Sequence, residues 1–204
     1  MHSSVAASEA LFYRGVVASR FGREEEGLGL LQQFLAKNPA PEMAREAKQE
    51  ISSAFVRLGR YSEANRNLPE SDPLIASLRN VPPESVEIVK APPIKATRNR
   101  LATWSVPVQV NGVDGQFIFD TDANFSSVSE SEAKRLGLVI HDSEATVAGL
   151  SGNNNPVRLA TADVRLGGAY IRNVIFLVFA DKAMYLLRLQ MRGFLGMPAI
   201  RALN

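Results

Sequence analysis

The stretch FIFDTDANFSS, residues 117–127, sets two carboxylates, Asp120 and Asp122, two positions apart behind an apolar run. Phe117, Ile118 and Phe119 read as a strand heading into a core, where a bare charge is expensive. A turn accounts for the pair without chemistry, because Asp and Asn bond their own backbone and favour strand ends. The chemical alternative is acid–base work. Two carboxylates held about 3 Å apart cannot both ionise, so one serves as base and the other as acid.

Other chemistries lack material. The 204 residues contain no cysteine, which removes disulfides, thiolate metal sites and a Cys nucleophile. With His2 and His141 as the only histidines, a histidine metal site or a Ser/His/Asp triad has almost nothing to draw on. Ser151 in GLSG lacks the G-x-S-x-G spacing of a nucleophile elbow. Residues 1–83 carry 10 basic and 10 acidic side chains and residues 84–204 carry 13 and 11, so the pI of about 9.0 reflects near balance. Lys95, Arg98 and Arg100 form the one basic cluster, without interleaved aromatics, and read as a solvated loop, not a nucleic-acid surface. No apolar stretch is long enough to span a bilayer, and the N-terminus has no signal-peptide apolar core. The compartment stays open: cytoplasmic, or periplasmic or secreted after removal of an export signal not present in this chain.

The elements that must position these residues fall into two parts. Over residues 5–68, Leu28, Leu31, Phe34 and Leu35 recur at helical spacing, as do Ile51, Ala54, Phe55 and Leu58, with a break at NPAP, 38–41. LGRYSEA, 58–64, resembles the turn between the two helices of a tetratricopeptide repeat, with Phe55, Gly59, Tyr61 and Ala64 in the motif's places. Gly15, Gly27 and Pro39 keep the spacing of a fainter earlier copy; a plain helical hairpin is the alternative. Two repeats are fewer than a free-standing array needs, which points to docking on the rest of the chain or on a protein partner. Residues 69–100 are rich in proline and read as a linker, with a short strand possible at 85–91.

From residue 101 the period becomes two. Trp104, Val106, Val108 and Val110 alternate with Ser105, Pro107 and Gln109; NGVDG, 111–115, is a turn; QFIFDT returns as partner strand. Ser129 to Glu132 reads as a capping box opening a helix that stops at Gly137. Strand-like ATVAGL, a polar tip SGNNNP, two long apolar runs around a Gly-Gly turn and GFLGMPAI complete the chain.

That order resembles the retropepsin type of aspartic protease, whose signature is Asp-Thr/Ser-Gly-Ala after an apolar strand. The matching stretch is Phe119 to Ser126, and the similarity spans about 104–200. Ala123 favours the single-lobed type. GFLGMP resembles the segment that packs behind the catalytic loop, so Leu195 and Gly196 take a supporting role. The resemblance implies a catalytic Asp120 from each of two chains, with Thr121 locking the loops across a two-fold axis. Asp122, Ala123 and Asn124 would contact substrate, as would Gly149, Leu150, Ser151 and Gly152 in a flap. It implies no metal and no cofactor.

Two departures follow. Asp122 stands where the family has Gly, a place suited to a residue without Cβ, and its charge would oppose ionisation of Asp120. The chain also ends at Asn204, where the family usually continues into a final strand of the dimer interface; this chain either pairs differently or is a piece of a longer one. The expected fold is α+β: a helical 1–68, a linker 69–100 and an all-β acid protease domain 101–204. The leading reading is a bacterial-style homodimeric aspartic endopeptidase acting on peptide or protein. Its rivals are a catalytically silent peptide-binding relative, and a functional helical repeat carried on a β scaffold.

Overall fold

The computed structural model describes residues 2–37, 39–67, 73–78, 81–82, 85–88, 93–100, 102–148, 153–186, 189–201 and 203. The chain divides into two compact units, Met1–Asn80 and Val81–Asn204.

The first unit is helical: α1 (His2–Arg20), α2 (Glu24–Leu35), α3 (Pro41–Arg57), α4 (Tyr61–Asn67) and α5 (Pro73–Ser77). Leu28, Leu31, Phe34, Ile51, Ala54 and Phe55 are buried, which is the face their spacing requires. Pro41 opens α3, where its missing N–H is one of the helix's unpaired donors anyway. At the other end, Gly59 takes φ +69° and lets Arg60 N–H reach the Phe55 carbonyl at 2.8 Å, closing the helix as a Schellman motif. Where α1 crosses α2, a Cβ on Gly27 would stand 2.8 Å from the Gly15 carbonyl oxygen, so these glycines let two backbones approach. Arg57 carries charge into this interior, bonding the Ser19 carbonyl at 3.1 Å near a buried Glu24. Among the described residues no helix is long and apolar enough to cross a membrane.

The second unit is β-rich. Its strands are β1 (Ser85–Ile88), β2 (Thr97–Arg98), β3 (Trp104–Val110), β4 (Val113–Phe119), β5 (Ser126–Ser129), β6 (Ile140–His141), β7 (Thr146–Ala148), β8 (Asn154–Leu166), β9 (Ala169–Phe179), β10 (Tyr185–Leu186), β11 (Leu189–Gln190) and β12 (Gly193–Leu195). Two short helices join them, α6 (Glu130–Arg135) and α7 (Met197–Arg201). Hydrogen-bonded neighbours run β9, β5, β12, β4, β3, β8 and back to β9, so the sheet closes into a barrel. Closure leaves those strands without a free edge. Val106, Val108, Phe117, Phe176 and Leu195 lie in its core, with the Phe117 and Phe176 rings edge to face at 6.2 Å. The whole is an α+β chain, helices first and a barrel after.

Local chemistry departs from expectation in three places. The turn read as NGVDG is tighter: Asn111 (φ 48°) and Gly112 (φ 82°) alone make it, and Val113 already pairs with Val110. Asn-Gly is the pair for such a two-residue hairpin turn. Residues 69–100 do more than link: Pro73 opens α5 and β2 pairs with β3, while β1, within the stretch 85–91 where the sequence allows a short strand, pairs with β9. The prolines there precede or separate these elements without interrupting them. The capping box forms by half. Ser129 Oγ accepts from Glu132 N–H, but Ser129 N–H is taken by the Arg192 carbonyl at 3.0 Å, and Glu132 turns to Arg135.

A residue distant in sequence completes that helix start. Asp181 Oδ1 accepts from Ser131 N–H at 2.9 Å, and this backbone hydrogen bond holds the Asp181 carboxyl below its ordinary range, against the opposing effect of burial. A depressed carboxyl stabilises the fold above its unfolded value of about 4, and that contribution fades as pH falls through the folded value. Asp181→Asn should therefore lower stability by about 0.5–1 kcal/mol at pH 7. In denaturant melts the gap from wild type should close below about pH 4; a gap independent of pH would remove the carboxylate from the account.

Candidate active site

β4 stops just before Asp120 because its apolar residues end there: Phe117 and Ile118 are buried, Phe119 and Asp120 half-buried, Thr121 and Asp122 exposed. The loop then turns back through half-buried Ala123 and Asn124 to buried Phe125 and Ser126, where β5 starts. Asp122 N–H donates to Asp120 Oδ1 at 3.0 Å, an Asx turn. The turn reading of these two residues is thus correct as local structure, and it orients the Asp120 carboxylate. Asp122 is not among the residues with positive φ, so its backbone does not demand glycine.

The loop is braced from behind. β12 lies between β4 and β5, parallel to the first (Leu195 opposite Phe119) and antiparallel to the second (Phe194 opposite Ser127). Asp120 N–H donates to the Leu195 carbonyl at 3.0 Å, and Met197 N–H to the Ala123 carbonyl at 2.8 Å. Gly196 N–H donates to Ser126 Oγ at 3.2 Å. A Cβ on Gly196 would fall 2.5 Å from the Phe125 carbonyl oxygen and 2.9 Å from that of Ala123. No side chain fits there, so Gly196 is what lets strand and loop touch.

Asp120, Thr121, Asp122, Ala123 and Asn124 thus share one loop, and Leu195 and Gly196 support it. Gly149, Leu150, Ser151 and Gly152 lie outside the described residues. The strands leading to them are described: β7 pairs with β8, Ala148 opposite Asn154 and Thr146 opposite Pro156. Among the described residues no three His, Asp or Glu side chains converge as a metal site. Sequence reasoning passed over Ser126 and Phe125 as working parts. Their signal is a polar residue directly after a buried aromatic at the start of a core strand, opposite a glycine that needs a hydrogen-bond acceptor.

Comparison with known proteins bears on the same segment. The family model described as aspartyl protease matches residues 106–199. Similar solved structures include a retropepsin-like aspartic protease from Rickettsia conorii, 24% identical with a TM-score of 0.39, over 58% of this chain and 81% of that one. The EIAV protease complexed with the inhibitor HBY-793 is 17% identical with a TM-score of 0.41, over 52% of this chain and 93% of that one. The retroviral protease-like domain of Ddi1 from Leishmania major is 20% identical with a TM-score of 0.33, over 48% and 71%. No curated protein matched. The Asp120-Thr121 loop and its brace thus lie inside the segment, 106–199, that matches the aspartyl protease family model.

Proposed function

We propose that the chain is an aspartic endopeptidase whose working site is built from two copies of Asp120. The observation that carries this reading is the braced loop. It holds one half-buried carboxylate at a strand end, fixes its backbone N–H on Leu195 and leaves Thr121 beside it exposed. One chain has a single Asp-Thr, so a second chain must supply the other carboxylate. In the dimer one Asp120 is ionised and the other protonated, because two close carboxylates cannot both carry charge. The ionised one takes a proton from water as that water attacks the scissile carbonyl carbon. The protonated one gives its proton to the carbonyl oxygen. Proton return to the amine then releases the two peptide halves.

The same reading assigns the other roles. Thr121 joins the loops across the two-fold axis, Ala123 and Asn124 line the peptide path, and Leu195 and Gly196 hold the loop. Gly149 to Gly152, between β7 and β8, cover the bound peptide and keep out water. The helical unit serves to bind a protein partner. Asp122, exposed two residues from each reacting carboxylate, is the constraint on rate. In a dimer it adds like charge near the pair, and like charge raises the cost of ionising Asp120.

Cleavage of an unfolded protein substrate should follow a bell-shaped profile on the acid side of neutrality, with apparent values that belong to the pair. Asp120→Asn should lower it on the order of a thousandfold. A variant that keeps wild-type activity would show the catalyst to be another group. Wild-type protein that binds peptide but never cleaves it, at any pH, would favour the silent binding module.

Asp122→Gly should raise cleavage on the order of tenfold or more, since it removes both charge and bulk. Asp122→Asn, which removes charge alone, should gain less. If Asp122→Gly lowers the rate instead, the second carboxylate takes part in the reaction.

A further inference from the structure

We propose that Ser126 is a positioning residue for Asp120, acting through the Leu195–Gly196 peptide; the proposal rests on the catalytic reading of Asp120. The Leu195 carbonyl and the Gly196 N–H belong to one planar trans peptide, so they point in opposite directions. The carbonyl accepts from Asp120 N–H at 3.0 Å and the N–H donates to Ser126 Oγ at 3.2 Å. One rigid plane therefore ties the residue where β4 stops to the residue where β5 starts. Turning the plane to break one bond strains the other.

The two ends of this link differ in stiffness. Ser126 is 2% exposed, and its backbone sits in the parallel pairing of β5 with β9, opposite Phe176. Asp120 lies one residue past the end of β4 and has no strand partner of its own. Ser126 is the anchor and Asp120 the part held. Crowding of Gly196 by the Phe125 and Ala123 carbonyls leaves the peptide little room to shift bodily, so the hydroxyl decides its orientation. Without the hydroxyl, a buried N–H is left seeking an acceptor, and such groups are costly enough to turn a peptide. The turn carries the Leu195 oxygen away from Asp120.

The test compares Ser126→Ala, Ser126→Thr and, as a distant core control, Val164→Ala, all in the full chain. Ser126→Ala should lower kcat about ten- to a hundredfold, with KM within about threefold of wild type. It should also speed hydrogen exchange at the Asp120 amide. Ser126→Thr keeps the hydroxyl and should restore both. Val164→Ala should lower the melting temperature while keeping kcat and the Asp120 exchange rate. If Ser126→Ala does not fold, Ser126→Cys, a weak acceptor, is measured in its place. An alanine variant with wild-type kcat and wild-type exchange at Asp120 overturns the proposal, as does a folded threonine variant equally impaired. Should cleavage survive Asp120→Asn, the catalytic reading falls, yet exchange at Asp120 still decides whether Ser126 holds that residue.

Discussion

β12, three residues long, fits between β4 and β5 with Gly193 against the Phe117 ring and Gly196, just past its end, against the Phe125 and Ala123 carbonyls, two places where a Cβ would clash. Two consequences follow from that one fit. The barrel closes through β12, since β4 and β5 are its two sheet neighbours and have no direct pairing in the strand order. The Asp120 loop, which spans the gap between the same two strands, rests its carbonyls on Gly196 and its first N–H on Leu195. Closure of the core and placement of the carboxylate are therefore one constraint met by one segment.

This arrangement explains how an apolar strand can end on Asp120 at small cost. A buried strand end normally leaves backbone donors to be satisfied. Here the backbone donor of Asp120 is paired with Leu195, and the side chain is occupied by the N–H of Asp122 while remaining half open to solvent. The turn chemistry and the proposed catalytic chemistry use the same atoms without conflict. Asp122 belongs to both: its N–H orients Asp120, while its carboxylate is the charge that the proposed two-fold assembly would have to accommodate.

Local pattern carries far in this sequence. Alternation over 106–110, the presence of a turn after Val110, the helix opening at Ser129 and closing at Gly137, and the apolar run into Asp120 are legible, because each is decided by residues within a few positions. At the start of the strand the alternation fails, with Trp104 exposed and Ser105 buried. The parts that escape depend on distant partners. Ser126 meets Gly196 across 70 positions, and Asp181 meets Ser131 across 50. The local signal at Ser126, a polar residue directly after an aromatic at a strand start, gains a task only once Gly196 is placed opposite it. The capping box misled for the same reason: Ser129 N–H is claimed by Arg192, which periodicity cannot foresee. Val86 and Ile88 lie in a stretch dominated by prolines, so their pairing with β9 is visible only once β9 is placed.

The central claim is that one chain supplies half of a site, and mixing two chains tests it directly. Wild-type protein is co-refolded with Asp120→Asn at constant total concentration, and cleavage is followed against the wild-type fraction. If each site needs an Asp120 from two chains, activity falls as the square of that fraction, to about one quarter in an equal mixture. A linear fall, to about one half, would mean that a single chain carries a complete site and would contradict the shared pair.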